Sequence, residues 1–197
     1  NGAAVNYEDK DLLFYLVVYR DFRRAVWCLE QLRKHYPNAA VVVQTDGDPD
    51  PGWMSLAHDV GAVVLYGERL FAVQHGVAIV QRAFEVFQAA PVARWMIRID
   101  TDTEVRRRFR EMPTADYFGT HQNWRNFVQG GCIGLTRRAI DLVMASGILD
   151  NPRQVQPLDW QGGDPGIARE RLAMGLVSFD WIINWAMGSV GIPAYNF

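Results

Sequence analysis

The chain has 197 residues, 49% of them hydrophobic and 12% aromatic, and its formal net charge is -2 at pH 7. This length and apolar content suit one domain with a substantial buried core, and they exclude a disordered chain. The charge indicates no general attraction to nucleic acid or an anionic membrane, and no apolar run approaches the length of a spanning helix.

The N-terminal sequence and the two cysteines indicate which cellular compartment to expect for the protein. The stretch NGAAVNYEDKD has no basic region followed by an apolar one, so we expect no signal peptide. Cys28 and Cys132 are too few and too far apart in sequence to predict a disulfide framework or a metal knuckle. We interpret both as small core residues, and a reducing, cytoplasmic setting is favoured.

Four apolar runs predict buried β-strands, namely Leu12–Tyr19, Ala39–Thr45, Ala62–Tyr66 and Trp95–Ile99. Apolar residues at helical spacing predict helices between them, near residues 22–36, 53–59 and 70–88. Because the strands are apolar throughout, the pattern indicates a mostly parallel central sheet with helices on both faces. We therefore predict a single α/β domain over residues 1–197.

The second half of the sequence predicts helices, strands and a long loop without the regular alternation of the first half. The arginine-rich stretch from Val105 to Glu111 is typical of a solvated helical face, with phosphate binding as the alternative. Strands are predicted at 117–119 and 127–135, followed by a helix at 136–146. Residues 147–166 predict a long loop, and a final helix at 181–187, ended by Gly188, precedes a last strand at 192–197.

Polar residues follow three of the predicted strands at their carboxyl ends, in the segments Tyr19-Arg20-Asp21, Asp46-Gly47-Asp48 and Asp100-Thr101-Asp102. Ligands of parallel α/β sheets bind at this edge. Alternate residues of an extended chain share a face, so Asp100 and Asp102 can present oxygens to one divalent ion that also binds phosphate. These segments predict a site for a nucleotide diphosphate. A turn that closes the strand is the alternative explanation of the acidic pair.

Three segments together resemble the nucleotide-sugar glycosyltransferases of the GT-A fold. RWMIRIDTDTEV is similar to their strand and metal-binding Asp-x-Asp motif, in the form seen in inverting galactosyl- and N-acetylglucosaminyltransferases. VQGGCIGLTRRAIDLV resembles their glycine-rich strand and helix beside donor and acceptor. SFDWIINWAMGSVGIP resembles the later helix that begins with an acidic pair, with Phe179 in place of the first acid and Asp180 as the second.

The resemblance implies a metal-dependent enzyme that moves a sugar from a UDP-sugar to a glycan or other hydroxyl acceptor, without a nucleic-acid partner or a membrane span. Asp102 would bind Mn²⁺ or Mg²⁺, and Asp100 would contact the ribose or the ion through water. Asp180 would be the catalytic base of an inverting reaction, with Asp164 as the next candidate and a helix-capping role as the alternative for Asp180. The family's third metal ligand is often a histidine, for which only His121, after a predicted strand, is a candidate.

The remaining implied contacts divide between two halves of the domain, a nucleotide-binding half at about 12–104 and an acceptor-side half at about 105–197. Four residues would line the base and ribose pocket: Tyr19, Arg20, Asp46 and Asp48. Gly130 and Gly131 would let the donor approach the backbone closely, although paired glycines also occur at a β-bulge. Trp124 and Trp160 would stack on an acceptor sugar.

Three other functions remain open. The segment IDTDTEV also fits the nucleophile motif of haloacid-dehalogenase-like phosphatases, but that chemistry uses a lysine after the motif, and both lysines, Lys10 and Lys34, precede it. A nucleotidyltransferase of related fold uses the same acidic pair but usually has a glycine-rich phosphate loop after its first strand. A non-catalytic sugar-nucleotide or glycan binding module would show binding without turnover.

Overall fold

The computed structural model describes residues 4–47, 51–70, 76–121, 128–150 and 179–197. Its strands are β1 (Ala4–Val5), β2 (Leu12–Val18), β3 (Ala40–Thr45), β4 (Val63–Leu65), β5 (Trp95–Ile99), β6 (Met112–Pro113), β7 (Tyr117–His121), β8 (Val128–Thr136) and β9 (Tyr195–Asn196). Its helices are α1 (Phe22–His35), α2 (Pro51–Asp59), α3 (Gly76–Gln88), α4 (Arg137–Ser146) and α5 (Phe179–Ser189), with a 3-10 turn at Asp9–Asp11.

Seven strands form one central sheet in the order β4-β3-β2-β5-β8-β7-β9. Strands β4, β3, β2 and β5 are parallel neighbours, β8 is antiparallel to both β5 and β7, and β9 is parallel to β7. Among these strands only β8 runs in the opposite direction. The carboxyl ends of β2, β3, β4 and β5 therefore lie along one edge of the sheet.

Both faces of the sheet are buried, which explains the uninterrupted apolar strands. Along β2, Phe14 and Leu16 pack on the face covered by α1, whereas Leu13 and Tyr15 pack on the face covered by α3, α4 and α5. Alternate side chains of a strand point to opposite faces, so a strand covered on both faces needs apolar residues at every position. The predicted α/β domain with a mostly parallel sheet between helices is confirmed.

The arginine-rich stretch between β5 and β6 is not helical, so the helical expectation for Val105 to Glu111 was wrong. Arg108 forms an ion pair with Asp9, donates to the carbonyl of His35 at 2.7 Å and lies over the ring of Tyr36. The Phe109 N–H donates to the Tyr36 hydroxyl at 2.7 Å. These contacts with distant parts of the chain hold the segment in an irregular path, and β6 then pairs with β1 in a small antiparallel ribbon.

The final helix ends later than its glycine content predicted. Gly188 lies inside α5, and the chain turns at Gly191, whose φ is +75°. The Ile192 N–H donates to the Met187 carbonyl at 2.9 Å, and the Gly191 N–H to the Gly188 carbonyl at 3.0 Å. This pair of bonds is the Schellman end of a helix, in which the glycine follows the last turn. Within the described ranges, no helix has the length and apolar character needed to cross a membrane.

The packing of β7 against β8 yields a stability prediction. A Cβ added to Gly134 would overlap the Phe118 ring, whereas a Cβ added to Gly131 in the same strand meets nothing within 4 Å. We expect Gly134→Ala to lower the free energy of unfolding by about 1–3 kcal/mol, measured by urea denaturation. Gly131→Ala is the matched control, with an expected change under about 1 kcal/mol. Equal losses in both variants would contradict this packing.

Candidate nucleotide site

A cavity of about 830 Å³ lies where the parallel strands end. It is bounded by the last residues of β2 and β3, by residues that follow β2, β3 and β4, and by the first turn of α1: Val18, Tyr19, Arg20, Phe22, Thr45, Asp46, Gly47, Gly67, Glu68 and Arg69. The structure thus brings the predicted residues Tyr19, Arg20 and Asp46 to one cavity. It is the kind of position at which α/β sheets bind ligands.

Asp46 fixes one wall of the cavity. The residue is only 9% exposed, and its Oδ1 accepts a hydrogen bond from the Leu70 N–H at 2.5 Å. The Gly47 N–H donates to the Gly67 carbonyl at 3.1 Å, and the Thr45 hydroxyl donates to the Leu65 carbonyl at 3.2 Å. One carboxylate oxygen therefore anchors the segment after β4, and a ribose contact through the other oxygen stays a prediction.

Two arginines contact the ring of Tyr19 within the cavity. The guanidinium carbon of Arg69 is 3.6 Å from the ring centroid, and that of Arg20 is 5.0 Å away. Arg69 was not among the predicted site residues, although the segment Gly67-Glu68-Arg69 follows the predicted strand Ala62–Tyr66. The segment that contains Arg69 has no acidic pair. Its position after β4, at the end of a predicted strand, is the one sequence feature that could have identified Arg69.

The carboxylates of Asp100 and Asp102 lie in different surroundings. Asp100 is 40% exposed, and its Oδ1 is 2.6 Å from Nη2 of Arg98. Asp102 is 62% exposed, and its Oδ2 is 3.9 Å from Nη1 of Arg24, which also lies 3.7 Å from Asp21 Oδ2. The Thr103 N–H donates to the Asp100 carbonyl at 3.0 Å, so the acidic pair does close the strand with a turn. That turn leaves the Asp102 carboxylate accessible to a ligand.

Gly131, the second of the paired glycines in β8, lies beside Asp100. The Asp100 N–H donates to the Gly131 carbonyl at 3.3 Å, and the Thr103 hydroxyl donates to the same carbonyl at 3.0 Å. The β7–β8 register shifts between Gly119 and His121, opposite this part of β8. The structure is compatible with both interpretations of the paired glycines. The irregular register fits a β-bulge, and the open space next to Gly131 fits the close approach of a donor.

Asp180 lies in the first turn of α5. Its Oδ1 accepts a hydrogen bond from the Trp181 N–H at 3.1 Å, and a negative charge in the first turn of a helix is favoured by the helix dipole. The preceding Phe179 ring lies 4.8 Å from the guanidinium carbon of Arg98. Because Arg98 also binds Asp100, the start of α5 and the end of β5 share one cation.

Burial raises the pKa of Tyr117 well above its ordinary value, and the negative charge of Asp180 adds to this.

Asn184 holds α5 against β8. Its Oδ1 accepts from the Val128 N–H at 2.9 Å, and its Nδ2 donates to the carbonyls of Val128 at 3.1 Å and Asp180 at 2.8 Å. The amide pairs with Val128 as a neighbouring strand would. Sequence analysis missed this residue, since an asparagine inside a helix has no pattern that identifies such a role.

The donor set at the end of β5 is small. In the described part of the chain, no cluster of three or more His, Cys, Asp or Glu residues could hold a metal ion. Asp100 and Asp102 offer two carboxylates, a set that fits Mg²⁺ or Mn²⁺ when substrate phosphates supply further oxygens. The His121 side chain and the predicted residues Asp48, Trp124, Trp160 and Asp164 lie outside the described residues.

Comparison with known proteins supports the fold. No known protein family matches the sequence, and no curated protein does. A cytidylyltransferase structure from Leptospira borgpetersenii aligns with a TM-score of 0.51 and 13% identity, over 97% of this chain and 76% of that one. A glycosyltransferase involved in glycosylation of the major capsid of PBCV-1 aligns with 13% identity over 74% of this chain and 70% of that chain, but its TM-score of 0.39 supports no inference. The first similarity shows a shared fold.

The two cysteines allow a test of the surroundings of Asp100. The Cys28 Sγ lies 4.0 Å from the Asp100 carbonyl oxygen, and burial raises the pKa of Cys28 to about 12 and that of Cys132 to about 11. Because the thiolate is the reactive form, its fraction near pH 8 falls by about 100-fold or more. We expect both thiols to react slowly with iodoacetamide in the folded protein, faster as the pH approaches 11, and rapidly in urea.

Mass spectrometry of each labelled cysteine measures these rates separately, and the urea-unfolded chain is the control for intrinsic reactivity. Rapid labelling of Cys132 in the folded protein at neutral pH would contradict the burial of its thiol, which is what raises its pKa.

Proposed function

We propose that this protein is a nucleotide-dependent transferase that moves a sugar from a nucleotide-diphosphate sugar, a UDP-sugar, to a hydroxyl group of a glycan or another acceptor. One observation carries the proposal. The cavity lies at the ends of β2, β3 and β4, the carboxylates of Asp100 and Asp102 follow β5 at the same edge of the sheet, and Arg98 connects Asp100 to α5. In this proposal residues 12–104 hold the nucleotide and residues 105–197 face the acceptor.

Asp100 and Asp102 would hold the divalent ion together with the donor's diphosphate. A bound Mg²⁺ or Mn²⁺ neutralises charge on a departing nucleoside diphosphate. Arg98 keeps the Asp100 carboxylate oriented, since a guanidinium that is only 14% exposed needs a charged partner. Asp102 is the more exposed of the two acids and is therefore the one proposed to contact the ion directly.

Asp180 is the proposed base. The acceptor oxygen forms a bond to the anomeric carbon as the bond from that carbon to the diphosphate breaks, and the acceptor proton passes to a carboxylate oxygen. The Trp181 N–H donates to Oδ1 of Asp180 at 3.1 Å, which orients the carboxylate that is proposed to receive the proton. Asp164 remains the second candidate for this role.

A second candidate function is nucleotidyl transfer. It is favoured by the fold shared with the cytidylyltransferase structure across 97% of this chain. In that reaction an acceptor oxygen attacks the α-phosphorus of a nucleoside triphosphate and pyrophosphate leaves. The same cavity and carboxylate pair would serve, so the leaving group distinguishes the two reactions. A binding module without turnover would release neither product.

Ligand binding can be tested by thermal unfolding. We expect UDP with Mn²⁺, at about 100 times its Kd, to raise Tm by about 5–10 °C, because a ligand that binds only the folded state stabilises it. Asp102→Ala should remove most of this shift. Glu85→Ala, which removes an exposed acid of α3 away from the cavity, is the matched control and should keep the full shift. Equal Tm shifts in both variants would show that Asp102 does not contribute to binding of UDP with Mn²⁺.

Catalysis can be tested by product analysis. Incubation with a panel of UDP-sugars should release UDP, whereas incubation with CTP or UTP should release no pyrophosphate. We expect Asp180→Asn to lower kcat by about 100-fold or more with little change in Tm, since a neutral amide keeps the size of the side chain but cannot take a proton. Unchanged turnover would transfer the role of base to Asp164. Release of pyrophosphate alone would favour nucleotidyl transfer.

A further inference from the structure

The start of β8 extends beyond the end of its neighbour β5. The two strands pair as far as Cys132, which lies opposite Ile99. Residues 128–131 of β8 therefore continue past the end of β5, at the edge of the sheet where Asp100 and Asp102 lie. We call residues 128–131 the β8 extension. Two separate parts of the candidate site are attached to it.

The first part is the turn that carries the acidic pair. The Asp100 N–H and the Thr103 hydroxyl both donate to the carbonyl oxygen of Gly131, at 3.3 Å and 3.0 Å respectively. These two hydrogen bonds attach residues 100–103 to one end of the β8 extension.

The second part is the first turn of α5. The Asn184 amide accepts from the Val128 N–H at 2.9 Å and donates to the Val128 carbonyl at 3.1 Å, and it also donates to the Asp180 carbonyl at 2.8 Å. Residues four apart in a helix share one face, so Asn184 binds the β8 extension one turn after Asp180. Because a strand rises about 3.3 Å per residue, the attachment points at Val128 and Gly131 are about 10 Å apart.

The chemistry of the amide explains the choice of asparagine. Helix formation alone does not favour asparagine inside α5, since alanine and leucine have higher helix propensities. A carboxamide has a donor and an acceptor on one planar group, which matches the N–H and the carbonyl of a single strand residue. Val128 is fully buried, so both of its backbone groups need partners within the protein. Asn184 supplies both partners and thereby fixes α5 against β8.

We infer that Asn184 is a positioning residue, which fixes Asp180 relative to Asp100 and Asp102 through the β8 extension. The inference rests on the proposed function, in which Asp180 is the base and the acidic pair holds the ion. A displacement of about 1 Å can slow a reaction by about 100-fold, because proton transfer depends on the distance between the base and the acceptor hydroxyl. Asn184 is not among the described residues that line the cavity, so its loss affects the catalytic step more than donor binding.

Steady-state kinetics of UDP release from a UDP-sugar test the inference, at a temperature where circular dichroism shows each variant to be folded. We expect Asn184→Leu, which keeps the approximate size of the side chain, and Asn184→Ala to lower kcat by about tenfold or more. The KM for the donor and the Kd for UDP with Mn²⁺ should change by less than about threefold. Ser189→Ala is the matched control, because it removes a hydrogen bond within α5, from Oγ to the Trp185 carbonyl at 2.8 Å, and it should leave kcat unchanged.

Amide hydrogen exchange followed by NMR tests the attachment of α5 without any measurement of activity. The Val128 N–H should be protected in the parent protein. It should exchange at least about tenfold faster in Asn184→Leu, because leucine offers it no acceptor. The same N–H should keep its protection in Ser189→Ala.

The outcomes separate this inference from the proposed function. If the parent releases UDP and folded Asn184→Leu has the same kcat, the positioning role is wrong and the proposed function stands. Equal protection of the Val128 N–H in the parent and in Asn184→Leu also overturns the inference, whether or not the parent is active. A loss of donor binding as large as the loss of kcat would indicate a general disturbance of the structure and would overturn it as well. If the parent releases no UDP from any UDP-sugar, the proposed function fails, and the catalytic role of Asn184 fails with it.

Discussion

The burial of the central sheet on both faces is the constraint on which the candidate site depends. Strands β2, β3 and β5 have helices on each side, so a polar side chain within them would lose its hydration. Polar residues can therefore accumulate where these strands end, and the parallel arrangement brings those ends to one edge. Tyr19, Asp46 and Asp100 reach the same region for this reason, although they are far apart along the chain.

Arg98 is the exception within a buried strand. It interrupts the apolar run of β5 and is only 14% exposed, so it needs partners that satisfy its charge. It finds them in the Asp100 carboxylate and in the face of the Phe179 ring. The same side chain thus orients one acid of the pair and places the start of α5 beside it. Arg98, which breaks the apolar pattern of β5, therefore links the Asp100 carboxylate to the start of α5.

The cavity itself depends on interactions that stabilise irregular segments. Asp46 is buried with one oxygen bound to the Leu70 N–H, and this bond keeps the segment after β4 against the end of β3. The ring of Tyr19 contacts the guanidinium group of Arg69, which belongs to that segment, and the guanidinium group of the adjacent Arg20. Asp46 also lines the cavity, so a substitution there would alter both the segment after β4 and the cavity wall.

The sequence by itself determined the α/β class, the apolar strands and the acidic strand ends, because burial on two faces imposes an apolar run and the period of a helix is visible in its apolar residues. It did not determine the irregular path of Arg106 to Arg110, the pairing of β1 with β6, or the contacts of Arg69 and Asn184. Those depend on partners far away in the chain, such as Asp9 for Arg108 and Val128 for Asn184. Local patterns record which face of an element is buried. Only the tertiary structure decides which distant group satisfies each charge and each backbone hydrogen bond.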